Sequence, residues 1–277
     1  MFQQGRLEDA HRRCTTLIKT QRQNVDAHYL MGLIFERSQN YAEAVECFQQ
    51  VLEIDPKHLG SLVNMGGLLT TLGRAKEAID PLRKALKIDR DIFPARYNLA
   101  RALKMTGDLD QAAREANRAL SLNPEAAEVQ FLVGDIYSAA GEEHKAIEGF
   151  RKCLEKLPDH VLAHVGLAVC LHRAGEFEEA KNHTDRALQI SPDDPRLHLV
   201  LFGGTRTDEE DAKSLEVFQN TLNNENLPDN LKIDMEFASA VILDRQKKYD
   251  EAFTHLKRAN DFRYEQFPNR RESIQRL

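Results

Sequence analysis

The feature that most constrains this chain is an alanine that returns every 34 residues. Ala44 lies in the segment VDAHYLMGLIFERSQNYAEAVECFQQVLEIDPKH, residues 25–58, and neighbouring segments carry alanine at the same place. Recurrence at one spacing indicates an array of similar units that pack mainly on their neighbours, so chain length does not indicate how many domains it contains. The positions are Ala10, Ala44, Ala78, Ala112, Ala146 and Ala180.

Each unit has the pattern of two short amphipathic helices joined by a polar turn. The repeating alanine falls in the second helix, and a small residue falls at a fixed place in the first helix. We therefore expect the two backbones to approach closely at these residues, with the alanines buried between paired helices. The small residues are Gly32, Gly66, Ala100, Gly134 and Ala168.

Glycine and proline mark the helix ends. Glycine enters the left-handed conformation at little cost, and proline cannot continue a helix. Gln39 replaces the turn glycine of one unit, Arg90 replaces a terminal proline, and Pro81 predicts a kink inside a second helix. The predicted first-helix ends are Gly5, Gly73, Gly107, Gly141 and Gly175. The prolines that follow second helices are Pro56, Pro124, Pro158 and Pro192.

These marks resemble the tetratricopeptide repeat family, whose unit is a helix pair of this length. The resemblance implies an all-α fold, a right-handed superhelical solenoid of antiparallel helix pairs. It also implies that the first helices line a concave face, which binds a protein or peptide.

The repeat frame predicts where the units lie. Residues 1–24 supply a partial first unit, and residues 25–194 supply five consecutive units. The array thus begins in mid-unit, either because the biological chain starts there or because this is a fragment of a longer protein.

The frame breaks after Pro192. Residues 195–232 are predicted to form an irregular helical insertion, with a brief helix that ends at Gly203 and Gly204, and a second helix that starts with Thr207 and Glu210 spaced as a capping box. The segment NNENLPDN is predicted to be a loop, and helical pairing is predicted to resume at Leu231. Residues 233–266 are predicted to form a divergent capping hairpin, and residues 267–277 are predicted to form a tail or linker.

Composition excludes several classes of function. A formal net charge of −6 argues against general affinity for nucleic acid or anionic membranes. No apolar run approaches the ~20 residues that cross a bilayer. The cysteines fall in the helical pattern without CxxC spacing, so we expect reduced packing residues and a cytoplasmic location. These are Cys14, Cys47, Cys153 and Cys170.

Signatures of catalysis are missing from the sequence. There is no P-loop, no GxGxxG after a strand, no GxSxG and no HExxH. His160 and His164 have the spacing of two ligands on one helix face, but no third ligand of obvious placement follows. We expect no enzyme activity, no cofactor and no metal in these residues.

The predicted concave stripe occupies places five, six, nine, twelve and thirteen of each unit, because the remaining apolar places pack on the second helix. Aromatic residues there either anchor a partner or fill space between first helices. The basic residues either bind an acidic group or form a solvated face. The stripe contains Tyr29, Asn64, Tyr97, Asn98, Arg101, Lys104, Phe131, Asp135, Val169, His172 and Arg173.

Two narrower comparisons bear on this stripe. Asn64 and Asn98 share the sixth place of consecutive units, which resembles the asparagine ladder of the O-linked N-acetylglucosamine transferase superhelix. The lysine and asparagine pattern that holds chaperone tails is not met, because Tyr29 and Leu33 stand at those places.

The C-terminal segment carries a second resemblance. LPDNLKIDMEFASAVILDRQKKYDEAFTHLKRANDFR, residues 227–263, is similar to the segment that joins the repeats to the catalytic domain in tetratricopeptide-containing sulfotransferases. The main prediction is a binding scaffold with a protein or peptide partner. The alternative is the repeat region of a sulfotransferase that recruits substrate or dimerises, and self-association is open in both cases.

Overall fold

The computed structural model describes residues 4–200, 207–224 and 227–266, and all fifteen elements in these ranges are α-helices. The chain divides into two compact units, Met1–Pro158 and Asp159–Leu277, which are described separately. The first unit contains α1 (Gln4–Thr20), α2 (Val25–Arg37), α3 (Tyr41–Ile54), α4 (Leu59–Thr71), α5 (Ala75–Ile88), α6 (Phe93–Thr106), α7 (Leu109–Leu122), α8 (Ala127–Ala139) and α9 (Glu143–Lys156). The second contains α10 (Val161–Ala174), α11 (Phe177–Ile190), α12 (Pro195–Val200), α13 (Asp208–Leu222), α14 (Asp229–Arg245) and α15 (Tyr249–Gln266).

Helix pairs build the first unit. The pairs are α2 with α3, α4 with α5, α6 with α7, and α8 with α9, and the second helices α3, α5 and α7 also pack on the first helix of the next pair. First helices contact each other as well, α4 with α6 and α6 with α8. The predicted all-α repeat architecture is confirmed.

The contact within each pair depends on small residues, as predicted. A Cβ atom added to Gly32 would lie 2.6 Å from Cε1 of Phe48, and one added to Gly66 would lie 2.4 Å from Cγ of Leu82. No real Cβ tolerates such distances, so a larger residue would push the helices apart. The facing alanines Ala44, Ala78, Ala112 and Ala146 are all 0% exposed.

The turn glycines adopt the predicted left-handed conformation. Gly107, for example, has φ +86°, and its N–H bonds to the Lys104 carbonyl at 3.0 Å. Gln39 takes the same conformation without being glycine, with φ 61°. The prediction that Gly5 ends a helix is wrong: Gly5 is the second residue of α1, which runs on from there to Thr20.

Second helices end ahead of the prolines, as predicted for Pro56, Pro124, Pro158 and Pro192. The α5 helix ends at Ile88 although Arg90 stands at the corresponding place. It also continues without a break through the buried Pro81, and a bend at this residue stays a prediction.

The second unit has a helix pair at each end, α10 with α11 and α14 with α15. The predicted capping box at α13 is confirmed: Glu210 N–H donates to the Thr207 hydroxyl at 3.2 Å, and Thr207 N–H donates to the Glu210 carboxylate at 2.7 Å. The α14 helix begins at Asp229, two residues before the predicted Leu231. Gly203, Gly204 and the tail 267–277 lie outside the described residues.

Buried polar contacts join the helices of the second unit. His198 Nδ1 lies 2.8 Å from the Ser214 hydroxyl and links α12 to α13. Arg245 on α14 lies 3.3 Å from the buried Asp211 carboxylate on α13. These contacts join α12, α13 and α14 in the region where the 34-residue pattern is lost.

No described helix is both long enough and apolar enough to cross a bilayer.

Gly66→Ala should destabilise the chain by ~1–2 kcal/mol, because the added methyl would overlap the fully buried Leu82. Gly67→Ala is the matched control, since its methyl would meet the amide end of Asn98 at 2.9 Å, a flexible group that can move. Alanine also gains about 1 kcal/mol of helix propensity at this site. Equal denaturation midpoints for the two variants would contradict the close-contact interpretation.

Gln39→Gly should stabilise the chain by about 0.5–1 kcal/mol. The left-handed conformation costs a non-glycine residue about 1–2 kcal/mol, and the greater freedom of unfolded glycine offsets part of the gain. Gly107→Ala, at φ +86°, should lower stability by a similar amount. Urea midpoints measure both changes, and a destabilised Gln39→Gly would refute this explanation.

Candidate functional site

Eight of the residues predicted for the concave stripe lie on the first helices of the first unit, and all are partly exposed. We call this set the first-helix surface. Val169, His172 and Arg173 lie on α10 of the second unit; Val169 is partly exposed, and the other two are exposed. The first-helix surface consists of Tyr29, Asn64, Tyr97, Asn98, Arg101, Lys104, Phe131 and Asp135.

Tyr29 connects α2 to α4. The Asn64 side-chain amide donates to the Tyr29 hydroxyl at 3.3 Å, and the Tyr29 ring lies 4.7 Å from the His58 ring. A Cβ added to Gly60 would lie 2.6 Å from the Tyr29 hydroxyl oxygen. The absence of a side chain at Gly60 therefore makes room for the phenol, which both fills space between the helices and keeps part of its surface exposed.

The second predicted asparagine makes a different contact. The Asn98 amide lies over α4 at Gly67, where an added Cβ would stand 2.9 Å from Nδ2. Asn64 and Asn98 thus each reach a neighbouring first helix, the former towards α2 and the latter towards α4. Whether either amide also holds a peptide backbone stays a prediction.

Arg101 and Tyr97 form the charged and aromatic centre of this surface. The Arg101 guanidinium carbon lies 5.7 Å from the centre of the Tyr97 ring, and the Phe93 ring runs parallel to Tyr97 at 6.5 Å. Burial raises the pKa of Tyr97, the Arg101 charge opposes this shift, and Glu128 adds to it. The Tyr97 phenol therefore stays protonated at neutral pH, and its ring attracts the neighbouring Arg101 cation.

Lys104 is already paired. Its ammonium group contacts the Asp135 carboxylate on α8, with 29% and 35% of the two side chains exposed. Arg101 makes no ion pair with any described residue. Of the two cations Arg101 and Lys104 on α6, only Arg101 is therefore available to a ligand, because Asp135 neutralises Lys104.

The remaining predicted aromatic and histidine residues pack locally. The Phe131 ring lies 5.8 Å from the buried Phe150 ring of its own helix pair. On α10, His172 meets the exposed Phe177 edge-on at 5.1 Å. His172 and Arg173 belong to the second unit and are therefore not counted with the first-helix surface.

Sequence reasoning missed three apolar residues in the same register. Met105, at the thirteenth place of its unit, is 53% exposed on α6 beside Lys104. If Ala252 is taken as the twentieth place of the last pair, Phe237 falls at the fifth place and Val241 at the ninth, where it is 45% exposed. Extending the alanine frame past the insertion would have found the last two.

The histidines considered as metal ligands have other partners. His160 Nδ1 accepts a hydrogen bond from the Ala163 N–H at 3.0 Å and caps α10. His164 Nδ1 lies 2.9 Å from His183 Nδ1 on α11. Within the ranges that the structure describes, no group of three or more His, Cys, Asp or Glu residues could hold a metal ion.

Two models of the tetratricopeptide repeat family match the sequence. One matches residues 23–91, and the other matches residues 69–136 and 137–201. The matches together span most of the first unit and the beginning of the second.

Curated proteins and solved structures give the same result. The BBSome complex member BBS4 of Bos taurus is 25% identical over 65% of this chain, which spans 35% of that protein. A peroxisomal targeting signal receptor of Eremothecium gossypii is 28% identical over 61% of this chain, which spans 30% of the receptor. The crystal structure of MamA is 25% identical with a TM-score of 0.54, covering 58% of this chain and 95% of MamA. No sulfotransferase is among these proteins, and that link stays a prediction.

Cys47 should react slowly with alkylating reagents at pH 8 in the native chain. Burial, followed by the charges of Glu46 and Glu43, raises its pKa from 9.0 to about 11, and the thiolate is the reactive form. The native Cys47 thiol keeps its proton to a higher pH than the unfolded thiol does. Its contribution to the stability of the native state is therefore lost as the pH rises from 9.0 to about 11.

Peptide mass spectrometry after timed iodoacetamide treatment measures the rate at each cysteine. A cysteine introduced by Thr71→Cys, at an exposed position of α4, serves as the fast control in the same sample. Alkylation of Cys47 at the rate of the introduced cysteine would show that burial does not protect it.

Proposed function

Because the chain belongs to the tetratricopeptide repeat family, we propose that it is a protein-binding scaffold whose first-helix surface holds a peptide segment of a partner. The repeats are a binding fold and not a catalytic one. The work of such a surface is recognition, and its affinity comes from a few anchors on a preformed array of helices.

The observation that carries the proposal is the continuity of the first-helix surface. Four successive first helices are linked in sequence: Tyr29 is hydrogen-bonded to Asn64, the Asn98 amide lies over the backbone at Gly67, and Lys104 is paired with Asp135. These contacts fix the side chains before a ligand arrives, so little conformational entropy is lost on binding.

The chemistry of this surface favours a ligand with an acidic group beside an apolar one. Arg101 has no carboxylate partner in the described part of the chain, and its fork of N–H donors suits a carboxylate. Tyr97 supplies a rigid aromatic surface next to it, and Met105 adds exposed, adaptable apolar surface on the same helix. Asn98 lies close enough along α6 to bond a peptide amide.

The names of the relatives are consistent with a protein partner. One is a receptor for a peroxisomal targeting signal, and another is a member of a protein complex. The chain spans only about a third of each, so what the whole relatives do is not carried over.

Selection from a phage-displayed library of random peptides tests the proposal directly. The full chain serves as the immobilised protein, and selected peptides are titrated by fluorescence anisotropy. We expect acidic residues to be enriched next to apolar ones. Arg101→Glu should weaken binding at least tenfold, about 1.4 kcal/mol, because it places a carboxylate where the ligand's acidic group lies. The affinity of the wild-type chain should also fall as salt is added.

Arg114→Glu is the matched control, since it makes the same charge change at an exposed position on α7, a second helix. It should leave the affinity of the selected peptides unchanged. Failure to select any peptide would count against a peptide-binding surface. Equal binding by wild type and Arg101→Glu, with unchanged helical circular dichroism, would place the site away from the first-helix surface.

A further inference from the structure

The last helix that the structure describes, α15, carries an exposed apolar stripe. One face of α15 is buried against α14 through Ala252 and Ala259, which are 4% and 0% exposed. A different face carries Tyr249, Phe253 and Leu256, which are 62%, 68% and 38% exposed. Their spacing of four and three residues places them side by side along one side of the helix, and we call them the α15 stripe.

The repeat register indicates what kind of element covers such a stripe. With Ala252 at the twentieth place, Phe253 corresponds to Val45 and Leu256 to Phe48. Val45 is 5% exposed on α3, on which α4 packs, whereas Phe48 lies against Gly32 of its own helix pair. Phe253 therefore has the register of a residue that the next helix of an array covers, and in the described structure it is open.

Charges beside the stripe are arranged to match a second, antiparallel copy. Asp250 and Lys257 lie seven residues apart on the same edge of the stripe, and both are exposed. Neither makes an ion pair with a described residue. When two α15 helices run antiparallel with Phe253 near the symmetry axis, Asp250 of each copy faces Lys257 of the other, which gives two equivalent ion pairs.

We propose that the α15 stripe is a homodimer interface, in which α15 of one copy packs antiparallel on α15 of a second copy. A two-fold arrangement covers both stripes at once and closes, so assembly stops at the dimer. The opposed helix dipoles add a small favourable contribution. This inference does not depend on the peptide-binding proposal, because it uses no residue of the first-helix surface.

Sedimentation velocity of the full chain over ~1 to ~500 µM tests the interface, because small apolar interfaces dissociate in this range. The mass should rise with concentration from 31.6 kDa to twice that value and no further. Phe253→Glu should weaken dimerisation at least a hundredfold by placing two carboxylates at the symmetry axis. Since Phe253 is 68% exposed, the variant should keep its helical signal.

Thr254→Glu is the control, because it adds the same charge at the next residue, which lies off the stripe. It should dimerise like the wild type. Asp250→Lys and Lys257→Asp should each weaken the dimer several-fold, and the double variant should restore it, which only antiparallel pairing of α15 explains.

Three results would overturn the proposal. The first is a wild-type chain that stays monomeric up to ~500 µM, which would indicate that the α15 stripe binds a different protein and not a second copy. The second is a Phe253→Glu variant that associates like the wild type. The third is a mass that grows beyond the dimer, which indicates a head-to-tail contact and not a closed two-fold one.

Discussion

The close contact between the two helices of a pair determines the rest of the first unit. At Gly66 the backbone of α4 comes so near Leu82 that no Cβ fits, and the facing Ala78 is completely buried. Dispersion contacts between close-packed groups are individually weak, but each pair repeats them in the same geometry. The distance between helices is therefore fixed, and with it the spacing of the side chains that successive first helices present.

That spacing explains why the first-helix surface is ordered by direct contacts. The hydrogen bond from Asn64 to Tyr29 and the ion pair between Lys104 and Asp135 both join neighbouring first helices. Gly60 and Gly67 contribute by having no side chain, which leaves room for Tyr29 and Asn98. If this surface binds a peptide as proposed, it would do so without first having to be assembled.

The repeat made much of the fold predictable from sequence. A 34-residue period identifies the helix pairs, the buried alanines and the glycine turns, because each follows from local chemistry at a fixed place. The capping box at Thr207 lies outside the period and follows from the spacing of Thr207 and Glu210 alone. The prediction for Gly5 is wrong because the repeat frame gives a residue's position in the unit but does not show whether that residue lies within a helix. The left-handed Gln39 was not foreseen, since the turn geometry there is imposed by the helices on either side.

The candidate site was less predictable for a physical reason. Helical periodicity places Lys104 and Asp135 on one stripe, but whether a cation meets a ligand or a neighbouring carboxylate depends on the register between helices. Between residues 195 and 232 the frame itself is lost, and buried polar contacts such as His198 with Ser214 join the helices there. Such contacts follow no period that a sequence pattern could reveal.

The ion pair between Lys104 and Asp135 has a consequence for how a bound chain would run. On α4, α6 and α8, the ninth places are held in order by a glycine, a cation and a carboxylate: Gly67, Arg101 and Asp135. Lys104 compensates the charge of Asp135, so of these three places only Arg101 would offer a negatively charged segment an uncompensated charge. If the chain binds a peptide as proposed, the position of the peptide's acidic group would be fixed by this single cation, whereas the direction in which the peptide runs would be decided by its apolar contacts.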